Sequence, residues 1–164
     1  MKYAIFSDIH SNLEALKAVL ADIKRQKVDV AICLGDIVGY GPNPAECLEL
    51  IRDMKCPVVR GNHDHHAAQK KLPDWFSPLA HAGLVSTHAR LTKAQKDYLA
   101  ALPLTLKTNA FEAVHASLHR PSTWPYILDG LEADLHFESQ KSPLAFCGHT
   151  HQPCVWHFEE RLYH

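Results

Sequence analysis

Nowhere in this sequence do apolar residues run on for the roughly 20 positions that a membrane-spanning helix needs, so no membrane span is expected. The N-terminus lacks a signal-type core: Met1-Lys2 leads into a short apolar run that ends at Asp8, shorter than a secretory segment requires. No two cysteines have the C-x-x-C spacing, and their number, 5, is odd. That argues against a disulfide frame and for reduced thiols. Together these absences lead to the expectation of a cytoplasmic protein. Charge of one sign is missing too. With 17 basic and 18 acidic side chains the formal net charge is -1, which leaves no basic footprint for duplex nucleic acid. There is no internal repeat, low-complexity tract or linker, so residues 1–164 are expected to form a single domain, long enough to bury a core without disulfides or a structural metal.

What the chain has in excess is histidine, 13 in all. They are spread along the sequence, unlike a purification tag, and histidine is both the commonest metal ligand and a frequent acid–base group.

The first half alternates in the α/β manner. Tyr3 to Phe6, Val28 to Leu34 and Pro57-Val58-Val59 read as short buried strands. Between the first two, Leu13, Leu16, Leu20 and Ile23 recur at helical spacing, with Ser11 and Glu14 spaced as a capping box. A second helix opens at Pro44, its apolar face carried by Cys47, Leu48 and Ile51. Strand–helix–strand–helix–strand predicts a parallel sheet with right-handed crossovers. Farther on, Leu72 to Ala80 reads as a loop or short helix. Thr92 is placed to cap a helix that Pro103 ends. Thr105 to Ser117 reads as a hairpin turning at Thr108-Asn109, and Arg120 to Gly130 as a surface loop. Leu144 to Cys147 and Cys154 to Trp156 read as strands on either side of Gly148.

The chemistry lies just past the strand ends: Asp8-Ile9-His10, Gly35-Asp36, Gly61-Asn62-His63-Asp64, Val114-His115 and Gly148-His149-Thr150-His151. In an open α/β sheet the carboxyl ends of the strands share one ligand-binding edge, so these clusters are expected to converge. Asp, Asn and His without a thiolate suit Mn, Fe, Zn, Co or Ni. If those segments are extended, alternation places Asp8 with His10 and His149 with His151 on one face, and a carboxylate such as Asp36 can bridge two cations.

The ordered pattern D-x-H, G-D, G-N-H-D, H, G-H-x-H, running from Asp8 to His151, resembles the signature of the calcineurin-like metallophosphoesterases. The stretches Ser7 to Asn12 and Gly35 to Pro42 resemble the small bacterial and archaeal phosphodiesterase branch. The resemblance implies an α/β/β/α sandwich of two sheets and two divalent metal ions, manganese favoured. Carried over residue by residue, it implies Asp8, His10 and His151 on the first metal, Asn62, His115 and His149 on the second, and Asp36 between them. His63 matches the catalytic histidine, with Asp64 orienting it. The implied reaction is metal-dependent hydrolysis of a small phosphate ester, most readily a phosphodiester, by in-line attack of a hydroxide that bridges the metals. Asn12, His119 and Arg120 are candidate substrate contacts. Trp124 and Tyr126 are either stacking groups for a nucleobase or packing residues, the latter favoured.

Relatives in that branch continue with further strands, whereas this sequence stops thirteen residues after His151. The second sheet is therefore expected to be incomplete, either from truncation or with its open edge pairing in a homodimer. A protein-binding scaffold without catalysis, or an inactive remnant, are the competing readings. The retained His63 favours the enzyme.

Overall fold

The computed structural model describes residues 1–72 and 76–158. It is a mixed α/β fold. The first sheet pairs β1 (Tyr3–Phe6) in parallel with β2 (Val30–Cys33), joined through α1 (Leu13–Arg25) as the alternation predicts. After α2 (Pro44–Met54), Val58 bridges Cys33 in parallel, but only at that one position. Pro57 has no N–H to extend the ladder, and the Arg60 N–H leaves it to donate to Pro103 O at 2.7 Å. The expected third strand is thus a single bridge.

The second sheet holds β3 (Thr105–Lys107), β4 (Glu112–Val114) and β5 (Ala145–Phe146), with β3 antiparallel and β5 parallel to β4. The β3–β4 hairpin turns where expected: the Thr108 hydroxyl accepts from the Ala110 and Phe111 N–H groups at 3.1 and 2.9 Å. Cys154 to Trp156, expected as a strand, pairs with no strand among the described residues. Val155 is 94% exposed there, so the segment has no burial to hold it extended.

Strand alternation splits the core in two. Ile32, Leu34 and Val59 face Phe111 and Ala113 between the sheets. Cys33 and Val58 point the other way, into a larger core with Leu16, Leu48 and Ile51 of α1 and α2, Leu84 of α4 (Pro78–Arg90) and Leu99 of α5 (Lys93–Ala101). Residues of this kind contribute roughly 1.5–3 kcal/mol each when fully buried. The six-residue α3 (Asn62–Ala67) and α6 (Gly130–Ser139) complete the helices. Among the described residues no helix is long and apolar enough to cross a membrane.

Two helix starts differ from expectation. The cap of α1 is Asn12, whose side chain accepts from the Ala15 N–H at 3.0 Å. Ser11 is buried with a left-handed φ of 58, a turn geometry that takes its hydroxyl away from the helix. The α4 helix begins at Pro78 under a Ser77 cap. Of the segment expected as a loop or short helix before it, positions 73–75, which include Trp75, lie outside the described residues.

Candidate metal centre

All five clusters meet. The side chains of Asp8, His10 and His151 offer ligand atoms within 4.8 Å of one another, as do those of Asp36, His115 and His149, and those of His10, Asp36 and His63. Asp36 belongs to two of these groups, and its Oδ2 lies 3.7 Å from His10 Nε2 and 3.3 Å from His115 Nε2. Asn62 joins the second group, its Oδ1 3.1 Å from His115 Nε2.

The convergence is not made by extended segments. Asp8, His10, Asp36, His149 and His151 all have positive φ, between 47 and 69. Each strand end therefore turns sharply at the ligand itself, in a conformation that costs about 1–3 kcal/mol per residue and that Asp and His tolerate better than most side chains. This is the physical correction to the alternation argument: left-handed turns, not a pleat, bring Asp8 to His10, and they place His149 beside His115 and His151 beside His10.

The donor set suits cations. His115 Nδ1 donates to Leu34 O at 2.8 Å, which fixes the tautomer and leaves Nε2 facing the oxygens of Asn62 and Asp36. Among the described residues Asp8 Oδ1, 3.2 Å from His151 Nε2, and His149 Nε2 are buried without a hydrogen-bond partner. Buried polar atoms are rarely left so, and a cation bound in each group would satisfy both. Charge tells the same story. Burial opposes the charged form of His115, yet the Asp36 carboxylate outweighs it and lifts this histidine to about 9. Burial likewise pushes Asp36 up, but His115 overrides it and holds the carboxyl below the usual range. His149, dominated by burial and then by repulsion from His115, falls to about 4.

Two glycines make room. Gly39 has a φ of +98, and a Cβ there would come within 2.4 Å of His63 Nδ1. The imidazole thus rests on a bare backbone, a close approach open only to glycine. At Gly61 a Cβ would lie 2.0 Å from Asp36 Oδ1.

Asp64 does not touch the His63 ring, contrary to the sequence expectation. Its Oδ1 accepts from the Ile37 and Val38 N–H groups at 2.9 and 3.2 Å, and its Oδ2 from the Gly61 N–H at 3.2 Å, while His63 Nδ1 has no hydrogen bond. Asp64 positions His63 only indirectly, by clamping the Asp36 loop to the start of α3. Asp64→Ala should therefore destabilise the fold by roughly 2–4 kcal/mol, because three buried N–H groups lose their acceptor. Asp64→Asn, which can keep the two Oδ1 bonds, should lose less. Chemical denaturation of the two variants measures the difference, and equal stability in both would remove the clamp.

The remaining candidates stand apart from the three groups. Asn12 is exposed and its oxygen is engaged in capping. The His119 N–H is tied to Ser117 Oγ at 3.1 Å, and Arg120 is exposed at a left-handed turn. Trp124 packs on the rings of His65 and His66, as the packing reading expected. Tyr126 instead lies flat on His149, centroids 4.0 Å apart, and Tyr40 sits edge-on to His10 at 4.7 Å. Sequence reasoning passed over Tyr40, although it stands four residues after Asp36 inside a stretch, Gly35 to Pro42, singled out for its family resemblance.

The family model for calcineurin-like phosphoesterase matches residues 1–153. A metallophosphoesterase of known structure from Sphaerobacter thermophilus is 40% identical, with a TM-score of 0.78 over 92% of this chain and 60% of that one. A hypothetical protein from Pyrococcus horikoshii is 26% identical, with a TM-score of 0.67 over 73% of this chain and 56% of its own. An uncharacterised protein of Methanocaldococcus jannaschii is 40% identical over 156 residues, which are 93% of this chain and 63% of that protein. The chain spans less than two thirds of the length of each of these relatives.

Proposed function

This chain belongs to the calcineurin-like phosphoesterase family, and on that premise we propose that it is a metal-dependent phosphoesterase whose substrate is a phosphodiester. The observation that carries this reading is the double membership of Asp36, which is 1% exposed and shared between a group containing His10 and a group containing His115 and His149. A single buried carboxylate so placed suits two cations held side by side.

Asp8, His10 and His151 would hold one of them and Asn62, His115 and His149 the other, with Asp36 shared. Manganese is the ion we favour for this set of nitrogen and oxygen donors. Two bound divalent cations supply Lewis acidity, which activates water and neutralises phosphate oxygens. The chain's own residues do the rest. His63, held over Gly39 and by its N–H to Asp36 Oδ1 at 2.9 Å, presents its ring beside the joint of the groups. Burial depresses its pKa to about 4, so the ring is neutral near pH 7. Its Nδ1 is buried and unpaired, and orphaned buried N–H groups are rarer than orphaned acceptors, which puts the proton on Nε2. From there the ring donates a hydrogen bond to charge that develops on the phosphate or on the leaving oxygen. A non-catalytic scaffold has no need of a histidine seated in this way.

The direct test is hydrolysis of bis-p-nitrophenyl phosphate by metal-stripped protein with and without added Mn²⁺. The expected result is turnover that depends on metal and exceeds turnover of p-nitrophenyl phosphate. No turnover by folded protein carrying two metals per chain would overturn the proposal.

A further inference from the structure

Two tyrosines flank the metal centre, one against each ligand group. Tyr126 stacks on His149 with centroids 4.0 Å apart and planes 23° from parallel, yet it remains 49% exposed. The imidazole covers one face of the ring. Tyr40 lies 4.7 Å from His10 and 4.7 Å from His63 and is 40% exposed. Its backbone is pinned: it has a left-handed φ of 48 and rests on Gly83 of α4, where a Cβ would come within 2.6 Å of the Tyr40 N–H nitrogen. Large aromatic side chains held half-open over buried polar ligands gain nothing for the core. They are what a site uses to receive a flat, apolar group beside a charged one.

We propose that Tyr40 and Tyr126 form a two-sided aromatic clamp, and that the phosphate ester held at the metal centre carries a planar ring, a nucleoside or another aromatic alcohol, in preference to a simple alkyl group. The proposal rests on the phosphoesterase reading for where the phosphate sits, and on the two half-exposed tyrosines packed against His10, His63 and His149 for what sits next to it.

Two diesters with the same leaving group isolate the clamp: bis-p-nitrophenyl phosphate, whose second arm is a ring, and methyl p-nitrophenyl phosphate, whose second arm is not. The preference in kcat/KM for the first over the second should fall by about tenfold in Tyr126→Ala, the loss of one stacked ring, and should be kept in Tyr126→Phe. Tyr40→Ala should lower it in the same sense. A second readout needs no turnover: equilibrium dialysis of adenosine 5′-monophosphate and of inorganic phosphate against the Mn²⁺-loaded protein. The nucleotide should bind about tenfold more tightly than phosphate, and Tyr126→Ala should erase the difference. If neither diester is hydrolysed but the nucleotide still outcompetes phosphate, the clamp stands and the phosphodiester reading fails. Unchanged ratios in both assays would overturn the clamp. So would equal losses on both diesters with loss of bound metal, which would make Tyr126 a support for His149.

Discussion

His63→Ala is expected to lower kcat on bis-p-nitrophenyl phosphate by about 10²–10⁴-fold while the metal content of the protein stays at two ions per chain. The two halves of that result carry different information. His63 lies within 4.8 Å of His10 and Asp36 by ligand atoms, so distance alone leaves it open to be a ligand. Its surroundings argue otherwise. Asp8, His10 and His151 already form one complete group, and Asp36, His115 and His149 another, without it. Its ring rests on Gly39 and meets Tyr40 and Phe76 on other sides, an apolar seat that suits a donor kept ready for substrate. Elemental analysis alongside kinetics separates the roles: loss of one metal in His63→Ala would make it a ligand. Because burial holds the imidazole near 4, wild-type kcat should show no titration of this group between pH 6 and 8. Gly39→Ala should act in the same direction, since the new Cβ displaces the same ring.

The second large effect belongs to Asp36. Asp36→Asn keeps the shape and can keep the His63 N–H bond but removes the charge shared by two ligand groups, so both metals should be lost and turnover should fall to background. Asp36→Ala should in addition destabilise the metal-stripped protein by about 3–5 kcal/mol, the usual result of removing one member of a buried pair. The pH dependence of that destabilisation has a definite sign. His115 is raised to about 9 by Asp36, above the ordinary histidine value of 6.5. The pair therefore stabilises the fold fully below about pH 6.5, and its contribution disappears as pH rises through 9. Thermal melts of stripped wild type and variant should differ most near pH 6 and converge above pH 9. A gap that widens toward alkaline pH would contradict the pairing.

The clustering of Asp8, His10, Asp36, Asn62, His115, His149 and His151 was legible because these residue types have few other reasons to stand together. Asp8-Ile9-His10 or Gly148-His149-Thr150-His151 at a strand end is hard to read as packing, and the structure brings both to one place. The backbone route was not legible. Pleat and left-handed turn both put i and i+2 within reach, and only the observed φ values choose between them. Helix α1 announced itself through leucines at helical spacing. Helix α4 did not, although Ala80, Gly83, Leu84 and Thr87 are buried at the same spacing, because three of those four are small or polar and leave almost no hydrophobic signal. Its Gly83 is what lets Tyr40 lie close. The strand expected at Cys154 to Trp156 failed for the opposite reason: its side chains carry the signal, but nothing pairs with the backbone. Asp64 was misread because an acidic residue next to a catalytic histidine suggests contact, whereas the first turn of α3 directs it to the N–H groups of a different loop.

His10 and His151 stand 3.0 Å apart by their Nε2 atoms and 141 residues apart in the chain. On the ribosome, the group of Asp8, His10 and His151 closes only after His151 has been added. Asp8 and His10 leave the exit tunnel early, while their partner arrives only after both sheets have been synthesised. Until then that group has two of its three members. Closure of the group thus reports that the two ends of residues 8–151 have met.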